Sequence, residues 1–231
     1  MINYKYKWLL FDADGTLLDY DQSEKQALSV ALKVFQVDFQ TLYLEKYRRI
    51  NSNLWSELEN GTISSEKLRV RRFEILFADL NLDINPVSFS EQYLKALGQT
   101  DFLIEGTIEI LNKLSGNFKL AIITNGIKDV QNGRFQKTGL NKYFEYLLIS
   151  EELGVAKPDK LFFNHTLDKI NFHKKSEILV IGDSLKSDIL GGSLSNIDTC
   201  WYNPSNKNNE TAIKPTYEIR DLKELISIVT K

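Results

Sequence analysis

Two acidic clusters stand where short apolar runs end. Asp12 and Asp14 follow Trp8 to Phe11, with Gly15 and Thr16 behind them, and Gly182-Asp183-Ser184-Leu185-Lys186-Ser187-Asp188 follows the run Ile178 to Ile181. Like charges this close are costly unless a cation or a shared task offsets them. Taken alone, D-x-D is a weak pattern and also reads as an ordinary acidic turn in which Gly15 permits a tight bend. A second acidic cluster beyond a second apolar run asks for a common cause. Carboxylate oxygens, together with water and phosphate oxygens, suit Mg²⁺, which prefers octahedral oxygen coordination. Asp12, Asp183 and a backbone carbonyl near Asp14 could supply the protein's share, with Asp188 a direct or an outer-sphere partner.

Thr124-Asn125-Gly126 offers a hydroxyl, an amide and a flexible backbone just before a helical segment, the kind of place that favours an anion. The same three residues also read as a simple N-cap. Lys157 is followed by Pro158, which would hold its backbone fixed, although a lone lysine is commonly a solvated surface residue.

These groups need a scaffold that brings distant segments together. Apolar runs at Trp8 to Phe11, Leu120 to Ile123, Tyr146 to Ile149, Ile178 to Ile181 and Thr199 to Tyr202 have the length of strands buried on both faces. Helical segments at Thr107 to Leu114, Ile127 to Thr138 and Lys160 to Ile170 alternate with them, and Leu222 to Val229 follows a cap at Asp221. The pattern predicts an α/β fold with a doubly wound, Rossmann-like parallel-sheet core. Between Asp19 and Leu103 the period changes. Tyr43, Tyr47, Ile50, Leu54 and Leu58, then Val70, Phe73, Phe77 and Leu80, recur at helical spacing, with turns at Asn60-Gly61 and Asn85-Pro86. An α-helical cap domain inserted after the first strand is expected, placed over the C-terminal strand edge as a lid that closes on substrate. The expected domains are 1–15 with 104–231 for the core and 16–103 for the cap.

With 231 residues, 42% of them hydrophobic, the chain is long enough for a full core. A net charge of −2 provides no field that would attract a nucleic acid polymer or a membrane, so a small-molecule partner is expected. Cys200 is the single cysteine, which excludes an internal disulfide. The apolar run after Lys7 ends at Asp12, too short for a signal or membrane-spanning segment, and a cytoplasmic protein is expected.

In order and in placement at strand ends, D-A-D-G-T, T-N-G, K-P and G-D-S-x-x-S-D resemble the four motifs of the haloacid dehalogenase-like hydrolases, in the subgroup whose helical cap follows the first motif. The resemblance implies a Mg²⁺-dependent phosphomonoester hydrolase in which Asp12 is the nucleophile and forms an aspartyl phosphate. Asp14 would be general acid and then base. Thr124, with Asn125 and Gly126, would bind the transferred phosphoryl group, and Lys157 would neutralise the charge it shares with Asp12. The metal would be held by Asp12, Asp14 and Asp183 with Asp188 in support. Members that displace halide from carbon lack an acid at the place of Asp14, so phosphoryl transfer is favoured.

The stretches 50–63 and 69–73, with 198–204 near the end, resemble the bacterial pyrimidine 5′-nucleotidase group, which hydrolyses ordinary and modified pyrimidine monophosphates. Asn51 could read a base edge, Trp55 could stack on the base, and Arg69 or Arg72 could meet phosphate; Trp55 also sits beside the Tyr43, Tyr47, Ile50, Leu54 and Leu58 stripe, where cap core is the stronger reading. Alternatives are a phosphatase for a sugar phosphate or phosphoglycolate, a phosphomutase, or a catalytically silent binding protein.

Overall fold

The computed structural model describes residues 4–230; residues 1–3 and 231, at the outer ends of the expected core segments, lie outside the described residues. Among the described residues six short strands form one sheet: β1 (Trp8–Phe11), β2 (Lys119–Thr124), β3 (Tyr146–Ile149), β4 (Ile178–Gly182), β5 (Asp198–Tyr202) and β6 (Tyr217–Ile219). They lie in the order β3-β2-β1-β4-β5-β6, and every pairing is parallel. All residues of β1 and β4 are buried, as strands covered on both faces must be. The sixth strand was not among the expected runs: Tyr217-Glu218-Ile219 is three residues long, with an exposed charge at its centre.

The chain divides into two compact units, residues 1–19, 103–128 and 138–231 forming one, and residues 20–102 and 129–137 the other. In the α/β unit, Trp8, Leu10, Ala121, Ile123, Ile178 and Val180 pack with Phe162, Phe163 and Leu167 of a flanking helix. Fully burying such a side chain is worth about 1.5–3 kcal/mol, so this face fixes the register of the central strands. Phe11 lies opposite Ile122 on one side and Ile181 on the other, and the Asp12 N–H continues the ladder to the Ile181 carbonyl at 2.8 Å. The residues that follow β1, β2 and β4 therefore emerge at one level. This is the C-terminal edge of the sheet, where the strand order turns back about β1 and α/β folds bind ligands.

The helical unit holds α1 (Tyr20–Val34), α2 (Thr41–Glu59), α3 (Ser65–Leu80) and α4 (Pro86–Leu97). Gly61, at φ 71°, ends the α2 segment, and Ser64 caps α3 by accepting from the Lys67 N–H. Asn85-Pro86 is a helix start: the Asn85 side chain accepts from Ser88 N–H and Pro86 occupies the first turn. The helical stripe read from sequence becomes a nest of rings, with Phe89 centred 4.8 Å from Phe73 and 4.9 Å from Phe77, and Tyr47 stacked on Phe73. Arg72 is buried among them, 4.9 Å from the Tyr93 ring centre, and donates from Nη1 to Tyr47 and to Asn51 Oδ1. Asn51 and Arg72 are thus engaged with each other inside this unit, and Trp55 is half-buried.

In the α/β unit, α5 (Thr107–Leu114) precedes β2. After β2 comes α6 (Lys128–Thr138), most of which belongs to the helical unit. Two glycines explain that grouping. A Cβ on Gly133 would lie 2.6 Å from the Gly98 carbonyl, so the backbone approach between α6 and the end of α4 needs a residue without a side chain. Arg134, also in α6, donates to Ser23 Oγ of α1 at 3.0 Å. The remaining helices are α7 (Ser150–Leu153), α8 (Lys160–Lys169), α9 (Gly191–Leu194) and α10 (Leu225–Val229). Asp221 and Glu224 form a capping box ahead of α10.

The excursion from 20 to 102 leaves and re-enters the α/β unit at one spot. Leu18 and Leu103 form an antiparallel bridge, the Ile104 N–H donates to the Leu17 carbonyl at 2.9 Å, and Thr107 Oγ1 donates to the same carbonyl at 3.1 Å. Among the described residues no helix is long and apolar enough to cross a membrane.

Candidate active site

The loop after β1 folds tightly on itself: the Leu17 and Leu18 N–H groups both donate to the Ala13 carbonyl, and Gly15 N–H to the Leu18 carbonyl at 2.9 Å. Gly15 has φ 82°, and a Cβ there would stand 2.6 Å from Asp183 Oδ2. Only glycine lets this loop lie against the Asp183 carboxylate. Asp14 is half-buried in the same loop, and its charge is felt at Asp183.

Lys157, in the segment between α7 and α8, draws three chain segments together. Its Nζ donates to Asp12 Oδ1 at 2.6 Å, to Asp188 Oδ1 at 2.6 Å and to the Ile123 carbonyl at the end of β2 at 2.8 Å. Burial works against its charge, yet Asp12 and Asp188 hold the ammonium above its ordinary value. The Lys157-Pro158 peptide is cis. Asn125 holds the backbone of Lys157 from the β2 side, donating to its carbonyl at 2.9 Å and accepting from its N–H at 2.8 Å. Thr124 Oγ1 accepts from the Gly126 N–H at 3.0 Å in a local turn; α6 starts only at Lys128, so Thr124 is not its N-cap.

Asp188 arrives from a π-helical turn, Leu185–Leu190, of the kind that recurs at functional sites. It is fully buried, with Oδ1 on Lys157 and Oδ2 accepting from the Ser184 N–H at 3.1 Å, and it fills the space that a side chain at Gly182 would take. Asp183, in contrast, keeps an exposed edge. Its carboxyl is pushed up to about 7 by withdrawal from solvent and by the charge of Asp188, against the pull of Lys157. Asp12, buried, lies well above the carboxylate range for the same reasons, burial foremost.

Asp12, Asp183 and Asp188 each offer an oxygen within 4.8 Å of the others, and the Lys157 ammonium pairs with two of them, Asp12 and Asp188. At that spacing one carboxylate pair repels by about 3–4 kcal/mol at an effective dielectric of 20. A hard divalent cation relieves this repulsion, and all the donors are oxygens, so the residues fit one. Two contributors had escaped the sequence reading. Trp201, at the end of β5, donates from Nε1 to the Asp183 carbonyl at 2.9 Å, and the Ile123 carbonyl accepts from Lys157. An indole on a buried strand needs an acceptor for its N–H, which was the available signal for Trp201. A main-chain carbonyl leaves no signal in the sequence.

A family model described as haloacid dehalogenase-like hydrolase matches residues 9–202. Pyrimidine 5′-nucleotidase YjjG of Escherichia coli is 36% identical over 227 residues, 98% of this chain and 99% of that protein. Pyrimidine 5′-nucleotidase PynA of Streptococcus pneumoniae is 38% identical, covering 98% of this chain and 96% of its own length. Among solved structures, the HAD-hydrolase YfnB of Bacillus subtilis bound to magnesium superposes with a TM-score of 0.92 at 35% identity, covering 97% of this chain and 99% of that one.

Proposed function

We propose that this chain, which belongs to the haloacid dehalogenase-like hydrolase family, hydrolyses pyrimidine nucleoside 5′-monophosphates through an aspartyl-phosphate intermediate. The observation that carries the chemistry is the buried Lys157 ammonium shared by Asp12 and Asp188 at the end of the central strand, beside the exposed carboxylate of Asp183. The substrate class is supported by the two nucleotidases that align with nearly the whole chain at 36% and 38% identity.

Asp12 attacks phosphorus in line, forming an O–P bond as the bond to the nucleoside 5′-oxygen breaks. Asp14 gives that oxygen its proton, so the nucleoside leaves as an alcohol. Asp14 then takes a proton from water, whose oxygen attacks phosphorus; phosphate departs and the Asp12 carboxylate is restored. Proton transfer of this kind is worth about 10²- to 10⁴-fold. Lys157 favours the ionised form of Asp12 against the effect of burial and balances charge as it accumulates on the phosphoryl oxygens. The Thr124 hydroxyl and the Asn125 N–H hold the phosphoryl group, and the Gly126 N–H, which donates to Thr124 Oγ1, orients that hydroxyl. Mg²⁺ would be held by Asp12, Asp183 and the backbone near Asp14, and when bound it supplies positive charge against the phosphoryl oxygens. Asp188, with both oxygens engaged by protein donors, is read as its outer-sphere support. The helical unit is read as the substrate-selecting cap.

The test is phosphate release from a panel of nucleoside monophosphates, sugar phosphates and phosphoglycolate, with Mg²⁺ and with EDTA, using Asp12→Asn as the blank. Pyrimidine monophosphates are expected to be the preferred esters, with release abolished by EDTA. Undiminished release in EDTA sinks the metal assignment, and a tenth of wild-type rate in Asp12→Asn, against an expected loss of about 10³-fold or more, sinks the nucleophile.

A further inference from the structure

Lysine carries its charge on a flexible four-carbon stem, so where the ammonium sits depends on how its main chain is held. In Lys157 the main chain is held by a side chain. Asn125, the first residue beyond β2, donates from Nδ2 to the Lys157 carbonyl at 2.9 Å and accepts at Oδ1 from the Lys157 N–H at 2.8 Å. One amide thus answers both backbone groups of one residue, as a neighbouring strand does. The pairing fixes the orientation of the amide, since only its nitrogen can meet the carbonyl and only its oxygen the N–H. The far end of Lys157 returns to the same strand end, where Nζ donates to the Ile123 carbonyl at 2.8 Å. On the other flank Pro158 packs against α9, its Cα 3.0 Å from where a Cβ of Gly191 would be.

We propose that Asn125 is a positioning residue: its side-chain amide sets the Lys157 backbone so that the ammonium falls between Asp12 and Asp188, and that amide does not bind the phosphate ester. This departs from the expectation that the Asn125 side chain contacts substrate. Its kinetic consequence rests on the phosphohydrolase reading; the placement of Lys157 does not.

The test compares full-length wild type with Asn125→Asp and Asn125→Ala. The aspartate keeps the size of the side chain and the acceptor for the Lys157 N–H, but sets an oxygen against the Lys157 carbonyl. Acetylation by acetic anhydride, read for each lysine by mass spectrometry, reports placement without any substrate. Lys157 is 1% exposed and is protected in wild type; its labelling is expected to rise at least about fivefold in both variants while exposed Lys174 labels as before. With p-nitrophenyl phosphate, an ester lacking a nucleobase, and Mg²⁺, kcat is expected to fall about 10- to 100-fold with KM within about twofold of wild type. In a Lys157→Ala background, Asn125→Ala is expected to lower kcat no further. Unchanged labelling of Lys157 overturns the proposal, as does a raised KM at wild-type kcat or full additivity of the two substitutions. Should wild type release phosphate from no ester, the phosphohydrolase reading falls and the labelling alone decides the role of Asn125.

Discussion

Lys157 and Asp188 form an ion pair of 2.6 Å in which each side chain is only 1% exposed. A buried pair of this kind stabilises little against a well-packed apolar replacement, but breaking it from one side leaves an unanswered charge and costs about 3–5 kcal/mol. Because Lys157 also serves Asp12, replacing it leaves two buried carboxylates rather than one. Lys157→Met is therefore expected to lower unfolding free energy at pH 8 by about 3–5 kcal/mol in urea titrations, and to recover part of it when Mg²⁺ is added. Wild-type stability in this variant would mean that the carboxylates keep protons rather than the lysine's company.

Asp183 is the exposed member of the acidic group and feels the charge of Asp188. Asp183→Asn relieves that repulsion and removes a proposed metal ligand at once. Without Mg²⁺ the variant is expected to be about 1–2 kcal/mol more stable than wild type, and by calorimetric titration to bind Mg²⁺ about 100-fold more weakly. Opposite signs in the two measurements are the diagnostic; loss of stability in the metal-free variant argues against a repulsive cluster.

Gly15 combines φ 82° with a neighbouring carboxylate oxygen 2.6 Å from its missing Cβ. Gly15→Ala is expected to cost about 1–2 kcal/mol from backbone conformation, and to reduce kcat/KM further by displacing Asp183. Thermal unfolding and steady-state kinetics on one preparation separate the two effects. A variant with wild-type kcat/KM would show that Asp183 can shift without consequence.

Glu24 of α1 is 2% exposed and pairs with Arg48 of α2, and its carboxyl is pushed up to about 7, burial outweighing the arginine's pull. Arg48 keeps 41% of its side chain in solvent, which weakens its hold. The folded chain retains this proton where the unfolded chain, with an ordinary glutamate value near 4.3, has lost it. The contribution is therefore most favourable below about pH 4 and is lost as pH rises to about 7, then stays level. Glu24→Gln removes the titration, so from pH 5 to pH 8 the difference in unfolding free energy should move in the variant's favour by about 2–3 kcal/mol. A difference that does not change with pH would assign control to Arg48.

Much of this architecture is readable because buried parallel strands are written as short apolar runs. β1 and β3 have the expected bounds, and β2, β4 and β5 differ by one or two residues at their ends. The acids and glycines that follow those runs carry chemistry and turn geometry together, so Asp12, Lys157, Asp183 and Asp188 could be named before any contact was known. What is not local left no trace. Nothing near Gly133 says that it faces Gly98, so the attachment of 129–137 to the helical unit is invisible in the sequence. The amide of Asn125 suggested ligand binding, because a side chain that serves a backbone 32 residues away looks the same in sequence as one that serves a ligand.

The bridge between Leu18 and Leu103, with Leu17 accepting from Ile104 and Thr107, has a topological consequence. To the sheet, the excursion from 20 to 102 is a single hairpin loop whose two stems are already zipped. The cost of closing a loop grows only with the logarithm of its length, so changing the size of what lies between those stems alters it by fractions of a kcal/mol per doubling, about 0.6. The strand register therefore does not depend on the length of the block between Leu18 and Leu103; what ties that block to the rest of the fold is the stem at Leu18 and Leu103 together with the close approach of Gly98 to Gly133.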